Sequence, residues 1–249
     1  MLTFQTFAIV CPLVALAGFV DAIAGGGGLI SLPAYLLAGL PPHVALGTNK
    51  TSSTMGTSLA VWRYARRGFI PWNLLPLCLV CSFVGSQLGA RMTLWLSEAT
   101  VEKVMLIVLP LTALYLLLRK DFARDPKPLR QGVALALAAV VALVVGVYDG
   151  FYGPGTGTFL VIGLNGLAHL PVLQASGLAK ALNLTSNIAA LSVFVLGGVS
   201  LLPLGITAGL FSIFGNWLGT KVFFSKGTAI ARPIILAVLA LFFAKILLS

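Results

Sequence analysis

Between Phe4 and Trp62 just two residues carry formal charge, Asp21 and Lys50, and between Gln131 and Thr220 again just two, Asp149 and Lys180. Stretches so long and so poor in charge cannot clothe a water-soluble globule, whose surface needs polar side chains. With 59% hydrophobic residues against 9% charged, and a mean hydropathy of +1.03, the chain reads as a polytopic membrane protein. Apolar runs recur from end to end and no hydrophilic stretch is long enough for a soluble domain, so residues 1–249 form one transmembrane domain. The formal charge of +10 does not point to nucleic acid, because most Lys and Arg sit in short loops beside apolar runs, where the positive-inside bias accounts for them. The first twenty residues have no basic leader and no small-residue cleavage site, and read as a retained first span.

Apolar periodicity and Gly/Pro punctuation predict spans at Phe4 to Ala24, Leu29 to Leu40, Val44 to Trp62, Trp72 to Ala90 and Val101 to Leu118. After the charged connection RKDFARDPKPLR come Val133 to Val147, Thr158 to Leu170, Leu173 to Leu196, Leu201 to Gly219 and Ile230 to Leu248. The second and seventh segments are short. The expected fold is all-α, with about 8–10 transmembrane segments including two short or broken helices.

The two sets correspond residue by residue, the signature of duplication. At a constant spacing of 130 residues, Gly25 and Gly27 meet Gly155 and Gly157, Leu40 and Pro41 meet Leu170 and Pro171, and Lys50 meets Lys180. GSQLGAR at Gly85 to Arg91 falls on GNWLGTK at Gly215 to Lys221, while Asp21 meets Asp149 after a shift of two residues. Repeat 1 is expected over 1–120 and repeat 2 over 130–249. Loop charge predicts that the copies are inverted: Arg63, Arg66 and Arg67 mark a cytoplasmic loop whose mate around Gly198 is uncharged. The Arg91 to Lys103 loop is balanced by Glu98 and Glu102, whereas its mate carries Lys221, Lys226 and Arg232. Five crossings per copy satisfy inversion and put both termini outside the cytoplasm.

Ionisable groups inside a membrane are costly unless paired or wet, so Asp21, Lys50, Asp149 and Lys180 are candidates for function. Each glycine costs a helix interior about 1 kcal/mol relative to alanine, so Gly25, Gly26, Gly27 and Gly28 in succession predict a break. A helix restarting near Leu29 bares its first N–H groups at the positive end of its dipole, a seat for an anion. GPGTGT repeats the arrangement with Gly153, Gly155 and Gly157, while Pro154 bars a regular helix and Thr156 and Thr158 add hydroxyl donors. In an inverted repeat, such half-helix ends can converge near the midplane. GTNKTSST is too polar to face lipid, and its residues Thr48, Asn49 and Lys50, with Lys180, Asn183 and Asn187 in the mate segment, offer the charge and directed hydrogen bonds that an oxyanion needs. Asp21 and Asp149 are candidates for tuning the lysines or carrying a proton. Two other readings stand beside this one: Asp to Lys pairs that only pin helices together, and glycines that only permit close packing.

Cys11, Cys78 and Cys81 read as small packing residues, since no second pair or histidine completes a metal site. No cofactor or metal is expected, and no Ser, His and acid constellation supports an enzyme. His43 and His169, beside prolines, read as interfacial residues; Trp62, Trp72 and Trp95 read as interface anchors, and Trp217 as a packing residue.

The stretches GFVDAIAGGGGLISLP and GLPPHVALGTNK, then YDGFYGPGTGTF and AKALNLTSN, resemble the sulfite exporter TauE/SafE family of bacterial membrane permeases over nearly the full chain. The resemblance implies an inner-membrane transporter of sulfur-containing anions such as sulfite, thiosulfate or organosulfonates, in contact with membrane lipid and working as a homodimer, with no nucleic-acid partner. It also implies that the motif glycines, Asn49, Lys50, Lys180, Asn183 and Asn187 form the substrate site.

Overall fold

The computed structural model describes residues 3–118 and 126–226. The described residues form nine α-helices and no strand: α1 (Phe4–Ala24), α2 (Gly28–Leu37), α3 (Pro42–Arg66), α4 (Leu75–Trp95), α5 (Glu98–Leu118), α6 (Gln131–Phe151), α7 (Thr156–Gly166), α8 (Val172–Leu196) and α9 (Leu202–Lys226). Each overlaps an expected span, with ends shifted by about a turn or less in either direction, except that α4 runs on to Trp95 and α9 to Lys226, beyond the expected Ala90 and Gly219. The span expected from Ile230 to Leu248 lies outside the described residues, as does most of the connection that was to separate the repeats.

By length and composition α1, α4, α6, α8 and α9 can each cross a bilayer. α3 is as long as α8 and α9 but carries the polar run, and it hides that run in the protein: Thr48, Asn49, Lys50, Thr51 and Ser52 are all buried. Large apolar side chains instead face outward, among them Val80, Phe83 and Leu88 on α4, Val140 and Val144 on α6, and Leu210 and Phe214 on α9. A polar interior under an apolar exterior suits lipid as the surrounding solvent.

Small residues set the packing. α4 lies along α6 with Gly85 against the Leu143 carbonyl and Gly89 against Val147, while Gly146 and Gly150 of α6 receive the backbone of Ser82 and Ser86. α9 lies along α1 in the same way, with Gly215 on the Ala15 carbonyl, Gly219 on Phe19, and Gly18 under Ser212 and Asn216. Glycines four apart let backbones approach where lipid supplies no hydrophobic drive to associate. Hydroxyls bind the next layer: Ser82 donates to the Leu182 carbonyl at 3.0 Å and Ser86 to that of Ser186 at 2.6 Å, tying α4 to α8. α3 and α8, in contact with each other, form the polar centre.

Two positions depart from expectation. His43 is buried rather than interfacial, with Nδ1 2.8 Å from Glu98 and Nε2 2.9 Å from the Thr93 carbonyl, so it clamps the start of α3 to the junction of α4 and α5. Trp217 is 46% exposed and stacks on Phe214, because the small faces of its GxxLG motif, not the ring, meet α1. Trp62, Trp72 and Trp95 stand exposed near helix ends.

Candidate functional site where two broken helices meet

Both glycine stretches break the chain as their composition dictates. α1 stops at Gly25, whose φ of 74° is left-handed, and its N–H bonds the Asp21 carbonyl at 2.8 Å. α2 restarts at Gly28, with Leu29 and Ile30 bonded one tight turn back to Gly26 and Gly27. The N–H groups of Gly26, Gly27 and Gly28 therefore have no intrahelical acceptor. α6 ends at Phe151 with a non-left-handed cap, Tyr152, whose N–H bonds the Tyr148 carbonyl at 2.8 Å; the left-handed turns follow at Gly153 and Gly155, with φ of 98° and 83°, and α7 begins at Thr156.

The two breaks touch. A Cβ on Gly157 would lie 2.6 Å from Gly25 Cα, and one on Gly28 would lie 2.9 Å from Pro154 Cα, so glycine is required for this crossing. Thr158 at the start of α7 donates its hydroxyl to the Ala24 carbonyl, serving one of the acceptors left over at the end of α1.

Beside the crossing lies a cavity of about 30 Å³, lined by Asp21, Gly25, Gly27, Gly28, Asn49, Lys50, Asp149, Gly153, Thr156, Gly157, Asn183 and Asn187. At about 10–15 Å³ for one water, it accommodates two or so. Most of the expected site residues converge here. Gly26 and Gly155 shape the breaks without lining the cavity, and Thr48 turns away to accept the Leu201 N–H at 3.0 Å. Lys180 and Thr158 line a neighbouring cavity that shares Gly25 and Gly157 with the first.

The charges pair across the two halves of the chain. Lys50 Nζ is 2.7 Å from Asp149 Oδ2 and donates to Asn187 Oδ1 at 3.0 Å. Lys180 Nζ is 2.9 Å from Asp21 Oδ2 and also donates to the Asp21 carbonyl, at the negative end of α1. The Thr156 hydroxyl reaches Asp149 Oδ1 at 2.7 Å. Gly153 lets this knot close, since a Cβ there would fall about 3 Å from Asp149 Oδ1 and Lys50 Nζ. Neither lysine is a bare cation, and each carboxylate is held by the other half's base.

Ser52 and Ser53 of the polar GTNKTSST run also line the cavity, together with residues that the sequence did not single out, namely Ser31, Thr57, Ser212 and Asn216. Asn216 is the most informative: it is 1% exposed, and its Oδ1 has no hydrogen-bond partner among the described residues. Its one available signal was an amide in the middle of an otherwise apolar run.

Comparison with known proteins decides the assignment, since the family described as "Sulfite exporter TauE/SafE" matches residues 10–246. The chain belongs to the TauE/SafE family. It is 36% identical over 240 residues to "Probable membrane transporter protein ORF9" of Sinorhizobium sp, covering 95% of this chain and 90% of that one. It is 34% identical over 255 residues to "Probable membrane transporter protein YfcA" of Escherichia coli K12, covering 99% and 94%. A "Probable membrane transporter protein" of Haemophilus influenzae is 34% identical over 229 residues, covering 92% and 89%. No solved structure matches the chain. This TauE/SafE protein is thus a multi-pass membrane transporter of the bacterial inner membrane, and not an enzyme.

Proposed function

We propose that this TauE/SafE protein is a secondary transporter of a small sulfur-containing oxyanion, sulfite, thiosulfate or an organosulfonate, and that it binds the anion in the cavity where the two breaks meet. The observation that carries the reading is the contact of Gly25 with Gly157 and of Gly28 with Pro154, which gathers two helix N-termini and Lys50, Asn49, Asn183 and Asn187 around one small polar space. Backbone N–H groups, an ammonium and amides are donors suited to an oxyanion. The reciprocal packing, α1 on α9 and α6 on α4, with each lysine paired to the other half's aspartate, supports two inverted copies spanning 1–120 and 130–249.

Lys50 has three N–H donors, and Asp149 and Asn187 engage two. An arriving oxyanion takes the third and competes with Asp149 for the charge. A proton on Asp149, whose charged or polar neighbours are Lys50 and Thr156, frees Lys50 for the anion, so we propose cotransport of anion and proton. The cavity holds about two waters and must widen to admit the anion, which requires the two breaks to part.

Thermal-shift measurement of the purified protein against sulfite, thiosulfate, sulfate, sulfoacetate, taurine and carboxylates tests the substrate class, because a ligand at 100 times its Kd stabilises by about 2.7 kcal/mol. Stabilisation by sulfur oxyanions alone supports the proposal; stabilisation by carboxylates alone points to another small anion. A second reading, in which these ion pairs only pin helices and the transported solute is none of these anions, draws on the fact that both lysines are already paired with aspartates. It predicts no stabilisation by any of these anions.

A further inference from the structure

Gly25 and Gly157 line two cavities, not one. The second, of about 50 Å³, is lined by Lys180 and not by Lys50, and its walls are mostly apolar, with Ile23, Val161 and Phe223 joined by Lys180, Thr158 and Ser176. It sits by the end of α3 that carries Arg63, Arg66 and Arg67: Tyr64 lines it and stacks on Phe223 at 5.5 Å, and Gly177, one turn from Lys180, lies against the backbone of Phe69. Basic loops mark the cytoplasmic side.

We infer that this second cavity is a cytoplasmic vestibule that takes an anion with a short apolar tail, such as an alkanesulfonate, its head group at Lys180 and its tail against Ile23, Val161 and Phe223. The crossing of Gly25 and Gly157 is the septum between vestibule and central site. Lys180 spends two of its three N–H donors on Asp21, and the third, with no partner among the described residues, is open to a head group. Asp21 itself lines the central cavity while Lys180 lines the vestibule, so the ion pair spans the septum beside the backbone contact. The wall chemistry favours a tailed anion over a bare inorganic one, because an inorganic oxyanion offers nothing to the apolar side. This inference rests on the transport reading for its physiological sense but not for its test.

Ser176→Cys and Val161→Cys, with Ser53→Cys as the central-site control, are placed in a chain whose three native cysteines are replaced by alanine. Each is exposed to membrane-impermeant methanethiosulfonates bearing either a sulfonatoethyl or a trimethylammonioethyl group. In inside-out vesicles both vestibule variants are expected to react, at least about tenfold faster with the anionic reagent, and Lys180→Gln is expected to abolish that preference. In right-side-out vesicles they are expected not to react, and Ser53→Cys is expected to be protected relative to them from the cytoplasmic side. Reaction from the outer face, absence of the anionic preference, or silence of both variants in protein that still elutes as a folded species would overturn the inference. Because no transported anion is needed, labelling as expected without sulfite or sulfonate flux would sink the transport reading alone, and normal flux with contrary labelling would sink the vestibule alone.

Discussion

Replacing Lys50 by methionine, alone and together with Asp149→Asn, separates a ligand-binding lysine from a helix-pinning one. The Lys50 and Asp149 side chains are 2% and 3% exposed, so the single variant leaves a buried carboxylate with Thr156 as its one side-chain partner among the described residues. Removing one member of such a pair costs about 3–5 kcal/mol, whereas neutralising both is far milder. At about 2–4 °C per kcal/mol for a chain of this size, Lys50→Met should unfold roughly 10 °C below wild type in detergent. The double variant should recover most of that loss, giving a coupling energy of about 2 kcal/mol or more in the cycle. Lys180→Met should cost less, because Asp21 is 14% exposed and can rehydrate. Flux of sulfite or an alkanesulfonate into proteoliposomes supplies the second readout. If Lys50 meets the anion, the rescued double variant stays at least about tenfold impaired. If flux returns together with stability, the lysine only pinned helices and the site assignment is refuted. A single variant as stable as wild type would refute the buried pair itself.

Gly157→Ala places a methyl group 2.6 Å from Gly25 Cα and should hold the two breaks apart, lowering flux more than about tenfold in protein that still purifies as a folded species. Asn216→Ala removes an Oδ1 that has no partner among the described residues and one Nδ2 bond to the Ser212 carbonyl, so melting should fall by about 1 kcal/mol while anion affinity in the thermal-shift titration falls several-fold. Ser86→Ala deletes a 2.6 Å bond from α4 to the Ser186 carbonyl and should cost about 1 kcal/mol without altering the anion preference. Gly89→Leu, which drives a side chain into the Val147 and Phe151 backbone, should abolish folded yield, and a normal yield would contradict the close α4 to α6 contact.

Helix positions were legible because lipid imposes long apolar runs and because Gly and Pro punctuate them; α1 fills its expected span end to end, and the short helices α2 and α7 fall where the breaks required. Helix partners were not legible. Gly85 and Gly89, Gly146 and Gly150, and Gly215 and Gly219 advertise small faces, but small faces are mutually compatible, and nothing local says that α4 takes α6 while α9 takes α1. The same holds for charge: one acid and one base per half admit pairing within a half or across, and only the three-dimensional arrangement selects the crossed pairs. Asn216 escaped for a different reason. Its mate by repeat spacing, Ser86, is a packing residue tied to α8, so repeat logic pointed away from the cavity that the longer amide lines.

The crossed pairs link the architecture to the proposed chemistry through charge balance. Two lysines and two aspartates leave the centre of the molecule neutral, and adding one anion leaves it at −1 unless a proton accompanies the anion or a carboxylate gains access to water. An uncompensated charge in a poorly hydrated interior costs several kcal/mol, more than the hydrogen bonds to a small oxyanion return. The same pairs also resist relative motion: shifting α8 against α1 separates Lys180 from Asp21, and shifting α3 against α6 separates Lys50 from Asp149. An anion that takes the place of a carboxylate at a lysine, while that carboxylate takes a proton, removes both obstacles at once. Binding and the freedom of the halves to move are then one event, and the glycines that allow Gly25 and Gly157 to touch also allow them to part, since no side chain interlocks there.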